Sequence, residues 1–301
     1  MLEIKNLSRD FGHKQVLKNI SFMVGAGQIH ALLGHNGAGK TTLIKIILGF
    51  LRPSSGGVYV NNMETWGEKT GILARNQIGV LFENNGLFSN LTAMENLEVI
   101  ARIYKIDTVT WKNRADRLLE IVGLDNDKKE QVRNWSAGMK RKLALIRTLI
   151  HNPPLILLDE PTTGLDAESK KSIRLLILEE QKQKKAFLIA TQDLLDIDRV
   201  ASHTTLFYKG EILFTGTVHS LKNKLPLYKF RFDSLVDYNE FISNYGYKIE
   251  VIDTENDQFG VTVLVKSEPH NNLREDVAKF SAYSIPITLE DVYVNFSKNN
   301  L

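Results

Sequence analysis

Cysteine is missing altogether from these 301 residues. Disulfides and thiolate metal sites are therefore excluded, which suits a cytosolic protein without requiring one. Long apolar runs are missing too. The longest, such as Leu-Ile-Leu-Leu at 155–158, fall far short of the roughly 18 residues that a membrane span needs. The chain is expected to be soluble, or peripheral to a membrane through a partner. An excess of either charge is missing: 38 Lys and Arg face 35 Asp and Glu, and the net charge of +3 gives no support for the concentrated basic face of a nucleic-acid-binding protein. No secretory or transit segment is expected at the start, because LEIKNLSRDF alternates polar and apolar residues.

What is present is ordinary globular composition, 43% hydrophobic and 24% charged, at a length that predicts one large domain and a small one. Residues 2–33 read as short strands ending in the apolar run IHALL at 29–33. A glycine-rich turn follows, and TLIKIILGFL at 42–51 predicts a helix stopped by Pro53. VYV at 58–60 is another strand. From about residue 84 the texture becomes helical. Thr92 and Glu95 form a capping box, after which Met94, Leu97, Ala101 and Tyr104 recur on one face. Trp111, Ala115, Leu118 and Val122 make a second face, closed by Gly123, and Met139, Leu143, Ile146 and Ile150 a third.

An all-helical insert over about 84–150 thus interrupts an α/β pattern that resumes with LILLD at 155–159 and FLIAT at 187–191. Such continuous apolar runs suit parallel strands covered on both faces, with a crossover helix over about 167–184. LFYKGEILFTG at 206–216 predicts a hairpin turning at Lys209-Gly210. Beyond about 220, the one-sided strands YKFRFD, YKIEVID and GVTVLVK alternate with the helices LVDYNEFISNYG and LEDVYVNF. The expected division is a domain over 1–218 and a small α+β domain over 219–301.

The chemistry begins at GHNGAGKT, 34–41, which matches G-x-x-x-x-G-K-[ST] between a strand and a helix. Gly34, Gly37 and Gly39 let the backbone wrap a phosphate chain, so that the loop and helix start, His35, Asn36 and Ala38 through Thr42, turn N–H groups toward negative charge. Lys40 reaches the β- and γ-phosphates and Thr41 offers its hydroxyl to Mg²⁺. LILLDE at 155–160 supplies the complementary acids at a strand end. Asp159 fits Mg²⁺ coordination, and Glu160 fits the base that orients and deprotonates an attacking water. These two motifs alone indicate a P-loop NTPase.

WSAGMKRK at 135–142 narrows the class, because it resembles the signature motif of ATP-binding cassette (ABC) proteins, normally written LSGGQ, about 20 residues before the acidic strand. The resemblance implies an α/β P-loop NTPase core with a mostly parallel sheet, N-terminal antiparallel strands and an all-helical insert, plus the small C-terminal α+β domain. It also implies a head-to-tail dimer, in which Ser136 and Gly138 open a helix toward the γ-phosphate held by a second ABC ATPase chain. Phe11 sits where the family places an adenine-stacking aromatic. Thr162-Thr163-Gly164-Leu165-Asp166 resembles the loop that signals across the interface. LFENNGLF at 81–88 matches the segment that senses the γ-phosphate and contacts the membrane subunit.

Two positions depart from the family pattern. Glu83 stands where glutamine is usual; its carboxylate can still ligate Mg²⁺, and exporters of antibiotics and antimicrobial peptides often look like this. Gln192, in TQDLLD, replaces the switch histidine of Thr-His-Asp. Its amide can donate to a γ-phosphate but cannot carry positive charge, which puts the hydrolysis rate in doubt. ITLEDVYVNF at 287–296 resembles the closing helix of bacitracin- and lantibiotic-type exporter ATPase subunits.

The expectation is an ATP- and Mg²⁺-dependent ATPase at the cytoplasmic face of the cell membrane. It would power separate transmembrane permease subunits and touch the membrane only through them, without nucleic acid. Two alternatives stay open: a cassette protein acting on nucleic acid or ribosomes, and a regulatory or degenerate subunit with slow turnover. The first usually carries two cassettes or a long coiled-coil insertion, absent from this sequence. Gln192 alone supports the second.

Overall fold

Ile29–Leu33, Leu155–Asp159 and Ala186–Ala190 are buried at every residue, as strands covered on both faces must be. The computed structural model to which they belong describes residues 1–267 and 273–299; the remaining residues of the expected C-terminal domain, 268–272 and 300–301, lie outside the described residues. The chain divides into two units, Met1–Thr215 and Gly216–Leu301.

The first unit opens with β1 (Leu2–Phe11), β2 (Lys14–Val24), β3 (Ile29–Leu33), α1 (Lys40–Ile47), β4 (Ser55–Val60), β5 (Met63–Glu64), α2 (Gly71–Arg75) and β6 (Ile78–Leu81). The helical stretch α3 (Ala93–Ile103), α4 (Thr108–Ile121) and α5 (Ala137–Leu149) comes next. The unit continues with β7 (Leu155–Asp159), α6 (Ala167–Lys182), β8 (Ala186–Ala190), α7 (Leu194–Asp198) and β9 (His203–Tyr208), and β10 (Glu211–Thr217) leads into the second unit.

Two sheets form. The antiparallel one has the order β2-β1-β4-β5, with Leu2 facing Val24 on one side and Val60 on the other. The larger has the order β10-β9-β3-β8-β7-β6, with β3 parallel to both β8 and β9, and β7 parallel to β6 and β8. Leu32, Leu157 and Leu188 of this sheet pack into one core with Ile4, Leu17 and Ile20 of the antiparallel sheet and with Leu43, Ile44 and Ile47 of α1. Burying each such side chain contributes roughly 1.5–3 kcal/mol. Chain order reverses at β3, and open α/β sheets leave a crevice at such a point, outside the carboxyl ends of the strands.

The helix after the glycine-rich turn differs from the 42–51 expected. It begins at Lys40 and ends at Ile47, and Gly49, not Pro53, stops it. Gly49 takes φ 76°, its N–H bonds Ile46 O at 3.0 Å, and Phe50 N–H bonds Lys45 O at 2.8 Å. These two bonds form a left-handed glycine cap that satisfies the last carbonyls. In α3 the Thr92–Glu95 capping box is present. Leu97 and Ala101 are buried as the periodicity requires, whereas Tyr104 is exposed and stacks on His151 with ring centroids 4.0 Å apart. A buried position goes instead to Asn96, which exchanges bonds with Phe88 N–H (2.8 Å) and Phe88 O (3.0 Å).

The second unit contains α8 (Val218–Lys224), β11 (Leu227–Phe232), α9 (Leu235–Tyr245), β12 (Ile249–Asp257), β13 (Gly260–Ser267), α10 (Leu273–Val277), β14 (Ala282–Ile285) and α11 (Leu289–Asn299). From β11 to β14 the order is βαββαβ, and the antiparallel sheet runs β12-β13-β11-β14, the ferredoxin-like arrangement. Phe230 and Phe232 of β11, Phe241 of α9, and Val261, Val263 and Val265 of β13 form its core.

Candidate nucleotide site

Four parallel strands of the large sheet end on one cleft of about 730 Å³. The turn after β3 contributes Asn36, Gly37 and Gly39, and α1 contributes Lys40, Thr41 and Thr42. Glu83 follows β6, Asp159 and Glu160 close β7, and Gln192 follows β8. Thr163, with Lys14 and Val16 of β2, completes the lining.

Glycine at 39 is a steric requirement: φ is 110°, and a Cβ there would lie 2.7 Å from Leu17 Cδ2. Gly39 is the N-cap of α1 and has no side chain to offer, so the first N–H groups of the helix remain available to an anion. Lys40 is buried and folded back on the loop, with Nζ donating to Gly34 O at 2.5 Å and His35 O at 3.3 Å. Burial pushes its pKa down, against the pull of Glu160 and Asp159. Thr41 Oγ1 donates to Asp159 Oδ2 at 3.2 Å. Burial pushes the Asp159 carboxyl up, the Thr41 hydrogen bond lowers it, and neighbouring Glu160 raises it.

Glu160 has φ 48°, a backbone conformation that costs a non-glycine residue energy and clusters at functional sites. Its Oε2 accepts from Thr163 Oγ1 (2.8 Å), Thr191 Oγ1 (3.1 Å) and Gln192 N–H (3.2 Å). The Gln192 side-chain amide donates to Asn36 Oδ1 at 2.7 Å and lies 3.5 Å from Glu160 Oε1.

The other expected residues lie elsewhere. Gly34 and Ala38 shape the loop, Ala38 N–H bonding His35 O at 3.1 Å. His35 turns away to meet Tyr208 edge-on at 5.6 Å. Phe11 is 43% exposed and does not line the cleft; the Arg9 guanidinium stands 4.5 Å from its ring centre. Ser136 caps α5, accepting from Met139 N–H at 3.2 Å, and neither it nor Gly138 lines this chain's own cleft. Gly138 is buried, and a Cβ there would collide with Ser169 Oγ. Asp166 caps α6, accepting from Ser169 N–H at 2.8 Å and Ser169 Oγ at 2.9 Å.

Sequence reasoning missed Val16, Lys14 and above all Arg141. Arg141 is buried in α5 and donates to the backbone carbonyls of Phe82, Glu83, Asp159, Glu160 and Pro161 and to Asn85 Oδ1. A signal existed: Gly138, Arg141, Leu145 and Thr148 recur at helical spacing and are all buried, so one charge sits on an inward stripe. Burial pushes the guanidinium pKa down, and Asp159, Glu83 and Glu160 pull it back up.

A phosphate loop at a chain reversal, a buried lysine and paired acids on the next strand but one define a P-loop nucleoside triphosphatase. Comparison with known proteins narrows this. Residues 17–163 match the ABC transporter family. The chain is 36% identical over 214 residues to the bacitracin transport ATP-binding protein BcrA of Bacillus licheniformis, covering 71% of this chain and 68% of that protein. It is 32% identical over 228 residues to the lantibiotic transport ATP-binding protein SrtF of Streptococcus pyogenes, covering 76% and 96%. The ATP-binding subunit of an ABC transporter superposes with a TM-score of 0.69 at 28% identity, over 74% of this chain and 92% of that one. A dimeric post-hydrolysis ATP-binding cassette with ADP and Pi superposes at 0.64 and 26% identity, over 72% and 99%. The chain belongs to the ABC transporter family, as an ATP-binding, ATP-hydrolysing subunit.

Proposed function

We propose that this subunit hydrolyses ATP in a site shared with a second cassette and thereby drives a separate membrane exporter of amphipathic peptides or peptide antibiotics. The observation that carries the catalytic part is the convergence of Lys40, Thr41, Asp159 and Glu160 on one cleft. Export of such cargo is supported by the names of the relatives that transport bacitracin and a lantibiotic.

ATP would lie with its phosphates over the amides of 36–42 and the Lys40 ammonium, which must leave Gly34 O to reach them. The Thr41 hydroxyl and Asp159 carboxylate, in contact at the cleft wall, are hard oxygen donors of the kind Mg²⁺ takes one or two of, with water and phosphate supplying the rest. Glu83 adds a further carboxylate on the same wall. Bound Mg²⁺ supplies neutralisation of phosphate charge. Glu160 orients a water and accepts its proton, and the donors on its Oε2 leave Oε1 facing Gln192 and the cleft. Ser136 and the α5 amides meet the γ-phosphate of the partner cassette. In this reading Met1–Thr215 is the nucleotide-binding domain, Gly216–Leu301 is accessory, and the subunit is held at the cytoplasmic face of the membrane by its permease. Among the described residues no helix is long and apolar enough to cross a membrane.

Purification from detergent extracts of its own cells tests the transport part. A stoichiometric integral membrane protein is expected, and its absence under conditions that preserve ATPase activity overturns exporter coupling. Steady-state ATP hydrolysis by the purified chain tests the enzymatic part, and also tests the slow-turnover alternative raised by Gln192.

A further inference from the structure

Arg141 lies five residues into α5 beyond Ser136, about 7.5 Å along the helix axis. A guanidinium has five N–H donors in a planar fork, and here all of them are engaged. Nε bonds Pro161 O at 3.0 Å, and Nη2 bonds Asp159 O at 2.9 Å and Glu160 O at 2.8 Å. Nη1 divides its two donors among Phe82 O (2.6 Å), Glu83 O (3.0 Å) and Asn85 Oδ1 (3.0 Å). None of these acceptors is a carboxylate. The side chain is therefore not an ion-pair partner of the acids beside it but a clamp on the backbone that carries them.

We infer that Arg141 is a positioning residue linking the two nucleotide sites of the dimer: it carries displacement of α5, caused by the partner's nucleotide at Ser136, to Glu160 and Glu83 of its own cleft. The inference rests on the shared-site reading above. Three features carry it. The fork reaches the ends of β6 and β7 together, so α5 cannot shift without straining or dragging both. Glu160 sits in a costly backbone conformation, so a small displacement of its carbonyl reorients the carboxylate. The other cationic tethers of α5 end away from the cleft, Lys140 on Arg133 O, Lys142 on Val122 O and Arg147 on Gly86 O.

The test measures ATPase rate against ATP concentration for the purified full-length chain and for Arg141→Lys, Asn85→Ala and Glu160→Gln. Lysine keeps the charge but has only three donors, so it cannot hold both strand ends. We expect Arg141→Lys to lower kcat about tenfold and bring the Hill coefficient from above one to about one, with KM and nucleotide affinity changed less than about threefold. Asn85→Ala should move both quantities the same way by a smaller factor, about two. A purely structural clamp would lower the melting temperature without altering the Hill coefficient of the folded fraction. An unchanged Hill coefficient in Arg141→Lys, or a parental value of one, overturns the inference. If Arg141→Lys does not fold, Asn85→Ala decides, and parental kinetics there overturn it equally. Parental turnover in Glu160→Gln is the separate result that removes the site reading itself, and the inference with it.

Discussion

Gly138 presses against Ser169 so closely that no β-carbon fits between them, and Ser169 is in turn held by Asp166 at the start of α6. The glycine of the signature segment therefore serves its own chain before it serves any partner. Gly138→Ala should destabilise the isolated chain by about 1–3 kcal/mol, read from denaturant unfolding, because the methyl must displace an α6 cap. A change below about 0.5 kcal/mol would mean that α5 and α6 part easily.

Ser136 is the cleaner probe of the shared site. It is exposed, its Oγ caps α5, and aspartate caps a helix as well as serine does. Ser136→Asp should keep the stability of the parent within about 0.5 kcal/mol while placing a carboxylate where the partner's γ-phosphate docks. Loss of the ATP- and Mg²⁺-dependent dimer in a sizing experiment is the expected outcome. A dimer as abundant as the parent's would remove the start of α5 from the site.

Lys40 and Glu160 should separate binding from chemistry. Lys40 neutralises phosphate charge in the ground and transition states alike, so Lys40→Ala is expected to abolish binding or hydrolysis. Glu160 acts on the attacking water alone, so Glu160→Gln should bind ATP normally, hydrolyse it at least a hundredfold more slowly, in line with the loss of a general base, and accumulate as a dimer. Equal rates in Glu160→Gln and the parent would assign the base elsewhere.

The phosphate loop, the acidic strand end and the order of elements were legible because each rests on local spacing. IHALL and LILLD announce covered strands, and GHNGAGKT announces its turn through glycines, of which Gly34 and Gly39 leave no room for a side chain. Less was legible where the partner is remote in sequence. Arg141 reads as one more cation in GMKRK, since its acceptors are backbone carbonyls that have no letter in the sequence. Asn96 likewise takes a buried place in α3 only because Phe88 needs both of its backbone groups satisfied. Proline at 53 drew the end of α1 too far along, when the left-handed Gly49 had already closed it.

His30 should make stability depend on pH. It is buried, its Nε2 lies 2.8 Å from Thr205 Oγ1, and burial followed by the nearby His203 lowers its pKa to about 3. Between 6.5 and about 3 the unfolded chain takes up a proton that the folded chain refuses. Stability contributed by neutral His30 is thus complete above 6.5 and is lost as pH falls, by up to about 1.4 kcal/mol per pH unit. His30→Gln, which keeps a hydrogen-bonding amide but does not titrate, should flatten that slope between pH 6 and 4 relative to the parent. Parallel curves for the two proteins would show that His30 is protonated within the fold.

Gln192 stands where a cationic switch residue would act, yet it is tied to Asn36 of the phosphate loop and lies beside Glu160. Its backbone N–H holds Glu160 whatever side chain is present, so replacement leaves the base in place. Charge develops on the γ-phosphate oxygens during transfer, and a charged donor is roughly twice as strong as a neutral one. A gain of about 1–2 kcal/mol corresponds to about a fivefold to thirtyfold faster step. Gln192→His should therefore raise kcat by about that factor, with ATP affinity little changed because Lys40, Thr41 and the loop amides dominate binding. The gain should vanish in the double variant with Glu160→Gln, since a stronger contact to phosphate cannot replace an activated water. Steady-state rates of the four proteins decide it: an unchanged or slower Gln192→His would show that the amide bridge from Asn36 to Glu160 is matched to this cleft, and that glutamine here is a working part and not a weakened histidine.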